Sequence, residues 1–120
     1  MQEQHTMSNC LFCRMVAGDI KPDVVHETAE ILAFRDISPQ APVHILVIPK
    51  RHIETLNDFP DDEPALARAL LQAARHVAAQ EGLTERGYRT VINCGSDGGQ
   101  AVYHLHLHVL GGRTLHWPPG

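Results

Sequence analysis

The sequence predicts an α+β fold in which about five strands form an antiparallel sheet with two helices. The 120 residues match the length of one domain, and neither an internal repeat nor a linker divides them. The β-rich segments mostly follow one another along the chain, which favours antiparallel pairing. We expect residues 9–120 to form this single domain and the polar residues 1–8 to be disordered.

The first helix is predicted over residues 10–17. Asn9 or Ser8 suits its N-cap, because a short polar side chain can accept a hydrogen bond from a free backbone N–H. Gly18 suits the left-handed position that follows the end of many helices.

The strand signals are short and separated by turn residues. Residues 24–26 and 31–35 predict a hairpin with residues 28–30 at its turn. Residues 36–42 predict a loop, because two prolines in four residues cannot join a hydrogen-bonded ladder. Residues 44–48 are largely apolar on both faces, which favours a central strand. Two further strands are predicted, over residues 89–93 and 104–110.

The second and longer helix is predicted between Glu63 and Glu81. Asp61 or Asp62 can cap it, Pro64 lies in its first turn and Gly82 ends it. Its apolar residues recur at spacings of three and four and form one stripe, which consists of Leu66, Leu70, Ala73 and Val77.

The last predicted strand carries the pattern most indicative of function, in which His104, His106 and His108 alternate with Leu105, Leu107 and Val109. Residues two apart on a strand share a face at a spacing of about 7 Å, so the three imidazoles fall on one side. The face could be a solvated polar surface, a set of zinc ligands, or a nucleophile with its supporting groups.

A glycine-rich loop, residues 95–100, leads directly into this strand. Its glycines allow several backbone N–H groups to turn toward one anion, although a tight turn explains them equally well. Together with the histidines, the loop favours phosphoryl or nucleotidyl chemistry.

Composition limits the class of protein. A formal net charge of −4 argues against nucleic-acid binding through many phosphate contacts, but it allows one small phosphorylated ligand. No apolar run reaches the ~18 residues of a membrane span, and the first residues lack the pattern of a secretory signal. Three cysteines do not predict a disulfide framework, so we expect a cytoplasmic protein without a membrane partner.

Cys10 and Cys13 form a C-x-x-C pair near the start of the first helix. The pair could be two reduced thiols, a redox motif, or two of the four ligands of a structural zinc site.

The histidine pattern resembles the signature of the histidine triad (HIT) superfamily, in which three histidines alternate with apolar residues. The similarity is closest to the nucleoside phosphoramidase branch, the histidine triad nucleotide-binding proteins. It extends over most of the chain from residue 10 onward, through residues 34–42, 44–50, 93, 95–113 and 117–120.

The resemblance implies a HIT-like fold whose sheet continues across a homodimer. It also implies hydrolysis of the P–N or acyl-phosphate bond in conjugates of a purine nucleoside monophosphate, AMP or GMP. His106 would be the nucleophile and form a covalent nucleotidyl-histidine. His108 would bind the phosphate oxygens, His44 would support the site, and a backbone carbonyl near His104 would fix the tautomer of His106.

The resemblance implies further site residues. The nucleotide would contact His106 and His108 and also residues in two loops, namely Phe34, Asp36, Ile37, Asn93, Gly99, Ala101 and Val102. Many members of the branch carry a hydroxyl residue at the position of Ala101, where it bonds to the leaving group. In zinc-bearing members, the ligands would correspond to Cys10, Cys13, His52 and His104.

Two other functions fit the same residues. The protein could be a nucleotide-binding regulatory module with residual hydrolase activity. It could also be a metal-dependent hydrolase that uses the three histidines as ligands, whereas the nucleophilic mechanism requires no catalytic metal.

Overall fold

The computed structural model describes residues 9–120, and the prediction made for residues 1–8 lies outside this range. Within the described part, five antiparallel strands form one sheet in the order β1–β2–β3–β5–β4, which confirms the predicted fold class. The strands are β1 (Val24–Glu27), β2 (Ile31–Arg35), β3 (Val43–Pro49), β4 (Tyr88–Val91) and β5 (Leu107–Gly111). The α-helices are α1 (Leu11–Ala17) and α2 (Pro64–Gln80). No helix among these residues has both the length and the apolar character needed to cross a membrane.

Helix α1 begins one residue later than predicted, and its N-cap is Cys10 rather than Asn9. The Cys10 sulfur accepts a hydrogen bond from the backbone N–H of Cys13 at 3.4 Å, which replaces the oxygen acceptor of an ordinary cap. Ser8 is outside the described residues. Gly18 ends the helix at φ +88°, as predicted, and its N–H reaches the carbonyl of Met15.

Helix α2 begins and ends where it was predicted, but its N-cap is not one of the predicted residues. Glu63 occupies the N-cap position, although its side chain makes no capping hydrogen bond, so neither Asp61 nor Asp62 caps the helix. Helical geometry begins only at Pro64, so both aspartates lie before the N-cap position. The predicted apolar stripe is buried, together with Ala74 and Ala78.

The sheet has a different core on each face. The larger core lies between the sheet and α2 and includes Ile45 and Val47 of β3. The smaller core lies on the other face, where Phe12 of α1 packs with Leu46 and Ile48. Because β3 contributes to both cores and pairs with strands on both sides, the prediction of a central strand is confirmed.

The histidine segment is a strand only in its second half. β5 begins at Leu107, so His104 and His106 precede the ladder, contrary to the prediction of one strand over 104–110. The N–H of Leu105 donates to the carbonyl of Ile53 instead of to a neighbouring strand. Because β5 begins at Leu107, its neighbour β4 has no strand to pair with beyond that point. β4 ends at Val91, opposite His108, and does not reach residue 93 as predicted.

The alternation of faces nevertheless extends through the whole segment. Leu105, Leu107 and Val109 are buried in the core beneath α2. The rings of His104 and His106 lie on the other face, against Phe12. Burial of the leucines therefore fixes the side to which the histidines point, even where no ladder exists.

Candidate functional site

His106 is held in one tautomer by its own segment. Its Nδ1 lies 2.7 Å from the carbonyl oxygen of His104. A carbonyl can only accept, so Nδ1 carries the proton and Nε2 of the neutral ring keeps its lone pair. The residue is only 6% exposed, and burial lowers its pKa while the bond to the carbonyl raises it. A neutral imidazole with a free Nε2 lone pair is the form that can attack an electrophile.

His44 and His108 form a directed hydrogen-bond chain beside His106. The backbone N–H of Gln40 donates to Nδ1 of His44 at 3.0 Å, which places the His44 proton on Nε2. That nitrogen lies 2.9 Å from Nδ1 of His108 and donates to it. The proton of neutral His108 is therefore on Nε2, a buried atom that has no hydrogen-bond partner among residues 9–120. His108 presents an unsatisfied N–H donor next to the His106 ring, at a centroid separation of 5.0 Å.

The environment keeps these rings neutral. Burial lowers the pKa of His108 to about 4, and repulsion from protonated His106 and His44 adds to the effect. Burial also lowers the pKa of His44, while the carboxylate of Asp36, 3.5 Å from its Nε2, acts in the opposite direction. Protonation of either ring would place two N–H donors face to face in the chain, so neutrality preserves its direction.

His104 belongs to a second cluster, with Cys10, Cys13 and His52. One ligand atom from each of the four residues lies within 4.8 Å of all the others. Nδ1 of His104 is 3.4 Å from the Cys10 sulfur and 3.5 Å from the Cys13 sulfur, and Nδ1 of His52 is 3.2 Å from the Cys13 sulfur. Tetrahedral zinc with ordinary Zn–S and Zn–N bonds separates its sulfur and nitrogen ligands by about 3.5 Å. The four residues therefore fit a structural zinc ion.

The protonation of this cluster agrees with a role in metal binding. Nε2 of His104 donates to the carbonyl of Pro49 at 2.7 Å, which leaves Nδ1 free as a ligand. Burial lowers the pKa of His104 to about 4, so the ring is neutral. Burial raises the pKa of the Cys13 thiol to about 12, and Cys10 adds to the shift. A divalent cation would compensate the charge of the thiolates in this apolar setting.

The three histidines of the motif do not converge on one point. His104 groups with the cysteines, whereas His108 groups with Asp36 and His44, and His106 belongs to neither set of potential ligands. Nδ1 of His106 is also hydrogen-bonded to the carbonyl of His104 and therefore carries a proton. A single ion bound by all three histidines does not fit this geometry.

The residues assigned to the nucleotide lie in different environments. Phe34 is 2% exposed and packs edge-on against Phe12, so it supports the site from below. Ile37 is 97% exposed, in the loop that follows β2. The carboxylate of Asp36 accepts a hydrogen bond from the N–H of Ser38 at 2.8 Å, which orients it beside His44.

The remaining assigned residues surround the glycine-rich loop. Asn93 follows β4 by two residues, and β4 ends opposite His108. Gly99 has φ +79°, a conformation that residues with a side chain disfavour. Ala101, two residues later, is exposed. Val102 packs against the smaller core.

Two features of the site were not predicted from the sequence. Gln100 is buried, and its amide oxygen accepts from the N–H of Gly95 at 3.0 Å. Its amide nitrogen donates to the carbonyls of Glu54 and Val102, so one side chain fixes the shape of the loop. The N–H of Gln40, which sets the tautomer of His44, also gives no signal in the sequence, because any residue except proline supplies that donor.

Comparison with known proteins shows a family match. A family model described as the HIT domain matches residues 17–115. An uncharacterized HIT-like protein of Synechococcus elongatus is 56% identical over 110 residues, which cover 92% of this chain and 96% of that protein. A 14 kDa zinc-binding protein of Zea mays is 47% identical over 126 residues, with coverage of 94% and 89%.

Solved structures agree with the sequence relatives. A HIT family hydrolase from Legionella pneumophila superposes with a TM-score of 0.91 at 57% identity and covers 93% of this chain and 100% of its own. A histidine triad nucleotide-binding protein from Candida albicans gives 0.78 at 31% identity, with coverage of 91% and 82%. A zinc-bound histidine triad family protein from Mycobacterium smegmatis gives 0.78 at 35% identity, with coverage of 90% and 78%.

Proposed function

Because this chain belongs to the HIT domain family, we propose that it is a purine nucleoside phosphoramidase. It hydrolyses the P–N or acyl-phosphate bond of AMP or GMP conjugates through a covalent nucleotidyl-histidine. The observation that carries the proposal is the bond from His106 Nδ1 to the carbonyl of His104, which leaves Nε2 of a neutral, nearly buried ring as the nucleophile.

The first step forms the covalent intermediate. Nε2 of His106 attacks the α-phosphorus, the bond from phosphorus to the leaving nitrogen or acyl oxygen breaks, and a leaving amine takes a proton from water. The unpaired Nε2–H of His108 donates to a phosphate oxygen as negative charge develops there. In the second step water attacks the phosphorus and loses a proton to the solvent. The P–N bond to His106 breaks, its electron pair returns to Nε2, and AMP or GMP leaves.

Binding of the nucleoside uses the loop after β2. The carboxylate of Asp36, oriented by the N–H of Ser38, accepts hydrogen bonds from the ribose hydroxyls. Ile37 offers an exposed apolar surface to the base, and Phe34 supports that surface from the core. Asn93, Gly99 and the backbone of residues 101 and 102 contact the phosphate.

The proposed homodimer extends the sheet through β4. Within residues 9–120, β4 is an outer strand that pairs only with β5, and Tyr88 at its start is 39% exposed. The other outer strand, β1, is less suited to pairing because its register shifts between Val24 and His26. The partner in this proposal is a second copy of the chain, paired along β4.

The metal in this proposal is a structural zinc held by Cys10, Cys13, His52 and His104. When bound, it ties α1 to the segment that precedes β5. The proposal places the protein in the cytoplasm.

A fluorogenic adenosine phosphoramidate tests the activity. We expect turnover that continues when a chelator removes weakly bound ions, because the nucleophile is an imidazole and not a metal-bound water. A substrate panel with acyl-adenylates and dinucleoside polyphosphates defines the leaving group. Tight binding of AMP without turnover of any of these conjugates would instead identify a regulatory module. Loss of turnover in a chelator that leaves the fold and the structural zinc intact would identify a metal-dependent hydrolase.

The exposed Ala101 leads to a gain-of-function prediction. Alanine cannot donate a hydrogen bond to the leaving group, so we expect Ala101→Ser to raise kcat on phosphoramidates severalfold, within the range of about 1 kcal/mol that a hydrogen bond contributes. Steady-state kinetics on the fluorogenic substrate measure the change, and Ala101→Val controls for size. An unchanged or lower kcat in Ala101→Ser contradicts the role of this position.

A further inference from the structure

His104 takes part in both the metal cluster and the active site, through different atoms. Its Nδ1 faces the sulfurs of Cys10 and Cys13, and its Nε2 is bound to the carbonyl of Pro49. Its backbone carbonyl oxygen accepts a hydrogen bond from Nδ1–H of His106. The same residue therefore supplies a metal ligand and the acceptor that orients the proposed nucleophile.

The peptide unit that carries this carbonyl is held by groups next to the cluster. β5 begins at Leu107, so the unit lies before the ladder. The N–H of Leu105 belongs to the same planar unit as the carbonyl of His104, and it donates to the carbonyl of Ile53, the residue after His52. The position of the carbonyl thus depends on two cluster residues, through the His104 side chain and through the backbone that follows His52.

Phe12 provides a second connection between the two sites. It lies on α1 between the two cysteines and is 3% exposed. Its ring packs edge-on against both His104, at 5.8 Å between centroids, and His106, at 5.2 Å. An ion that fixes the two cysteines therefore also fixes the Phe12 ring, on which the imidazole of His106 packs.

From these contacts we infer that occupancy of the Cys/His cluster positions the nucleophile, with His104 as the positioning residue. The inference rests on the proposed function, because it concerns the same imidazole. Loss of the ion removes one anchor of the His104 ring and leaves its bond to the carbonyl of Pro49. The carbonyl of His104 is then held less firmly, and His106 loses the fixed orientation of Nε2. Small displacements of a reacting group reduce the rate of the chemical step more than they reduce ground-state binding. The expected signature is a fall in kcat with little change in KM.

His52 is the best position for a test, because its ring contacts Cys13 and His104 of the cluster and it is not among the residues assigned to catalysis or to the nucleotide. Wild-type protein should carry about one zinc ion per chain. We expect His52→Gln to lose most of it and to show a kcat about tenfold lower, with KM changed by less than about twofold. His52→Cys keeps four ligands and should retain both zinc and kcat. His76→Gln, an exposed position on α2, controls for loss of a histidine elsewhere.

A spectroscopic readout separates this inference from the proposed activity. The proton on His106 Nδ1 gives a downfield resonance in histidine-labelled protein, and we expect it to broaden or shift in His52→Gln but not in His52→Cys. If no substrate is turned over, the proposed function fails while this resonance still reports the coupling. If His52→Gln does not fold, cadmium-loaded wild type is compared with zinc-loaded protein, and the resonance should move. Zinc well below one ion per chain in fresh wild type, or a resonance and kcat that do not respond to loss or exchange of the ion, would overturn the inference.

Discussion

His106→Ala is expected to abolish turnover of an adenosine phosphoramidate, with a loss on the order of 10⁴-fold or more. The reason is that Nε2 of His106 is the proposed nucleophile. Its lone pair is free because the carbonyl of His104 holds the proton of the ring on Nδ1. The covalent nucleotidyl adduct, trapped by rapid acid quench and detected by mass spectrometry, should disappear at the same time.

The substitution also leaves the carbonyl of His104 without its donor and removes the ring that packs on Phe12. A loss of stability of about 1–3 kcal/mol is expected from the buried unsatisfied carbonyl alone. Thermal unfolding and zinc content therefore accompany the kinetics, with His76→Ala as a control on the opposite side of the sheet. An adduct that persists in folded His106→Ala would show that a different residue attacks.

His108→Ala is expected to lower kcat by about 10²–10³-fold, the usual effect of removing one donor to a developing oxyanion. The hydrogen-bond chain from Gln40 through His44 places the donated proton on Nε2 of His108. The nucleotidyl adduct should still form, but more slowly, since His106 is intact. Pre-steady-state kinetics of adduct formation measure this step.

The identity of the donor atom gives a sharper comparison at the same position. The amide nitrogen of glutamine can occupy the place of Nε2, whereas that of asparagine lies closer to Nδ1. His108→Gln should therefore retain more activity than His108→Asn. Equal rescue by both variants, or better rescue by asparagine, contradicts the assigned direction of the chain.

The fold was predictable because local signals agreed with one another. The spacing of apolar residues indicated α2, and the largely apolar β3 indicated the centre of the sheet. The errors occurred at element ends. Cys10 caps α1 although sulfur is not a usual cap, and β5 starts three residues late because the N–H of Leu105 finds its acceptor in Ile53. Such partners are distant in sequence, so no local pattern reveals them.

The sequence alone determined that His104, His106 and His108 share one face, since the intervening leucines must be buried. It also indicated the family, because the alternation and the glycine-rich loop are contiguous in the chain. Only the tertiary structure decided how the histidines divide their roles. His104 meets cysteines more than ninety positions away, and His108 meets His44 across the sheet. A tautomer depends on which atom lies within about 3 Å of each nitrogen. For His108 and His104 those atoms belong to His44 and Pro49, more than fifty positions away, and tertiary packing brings them together.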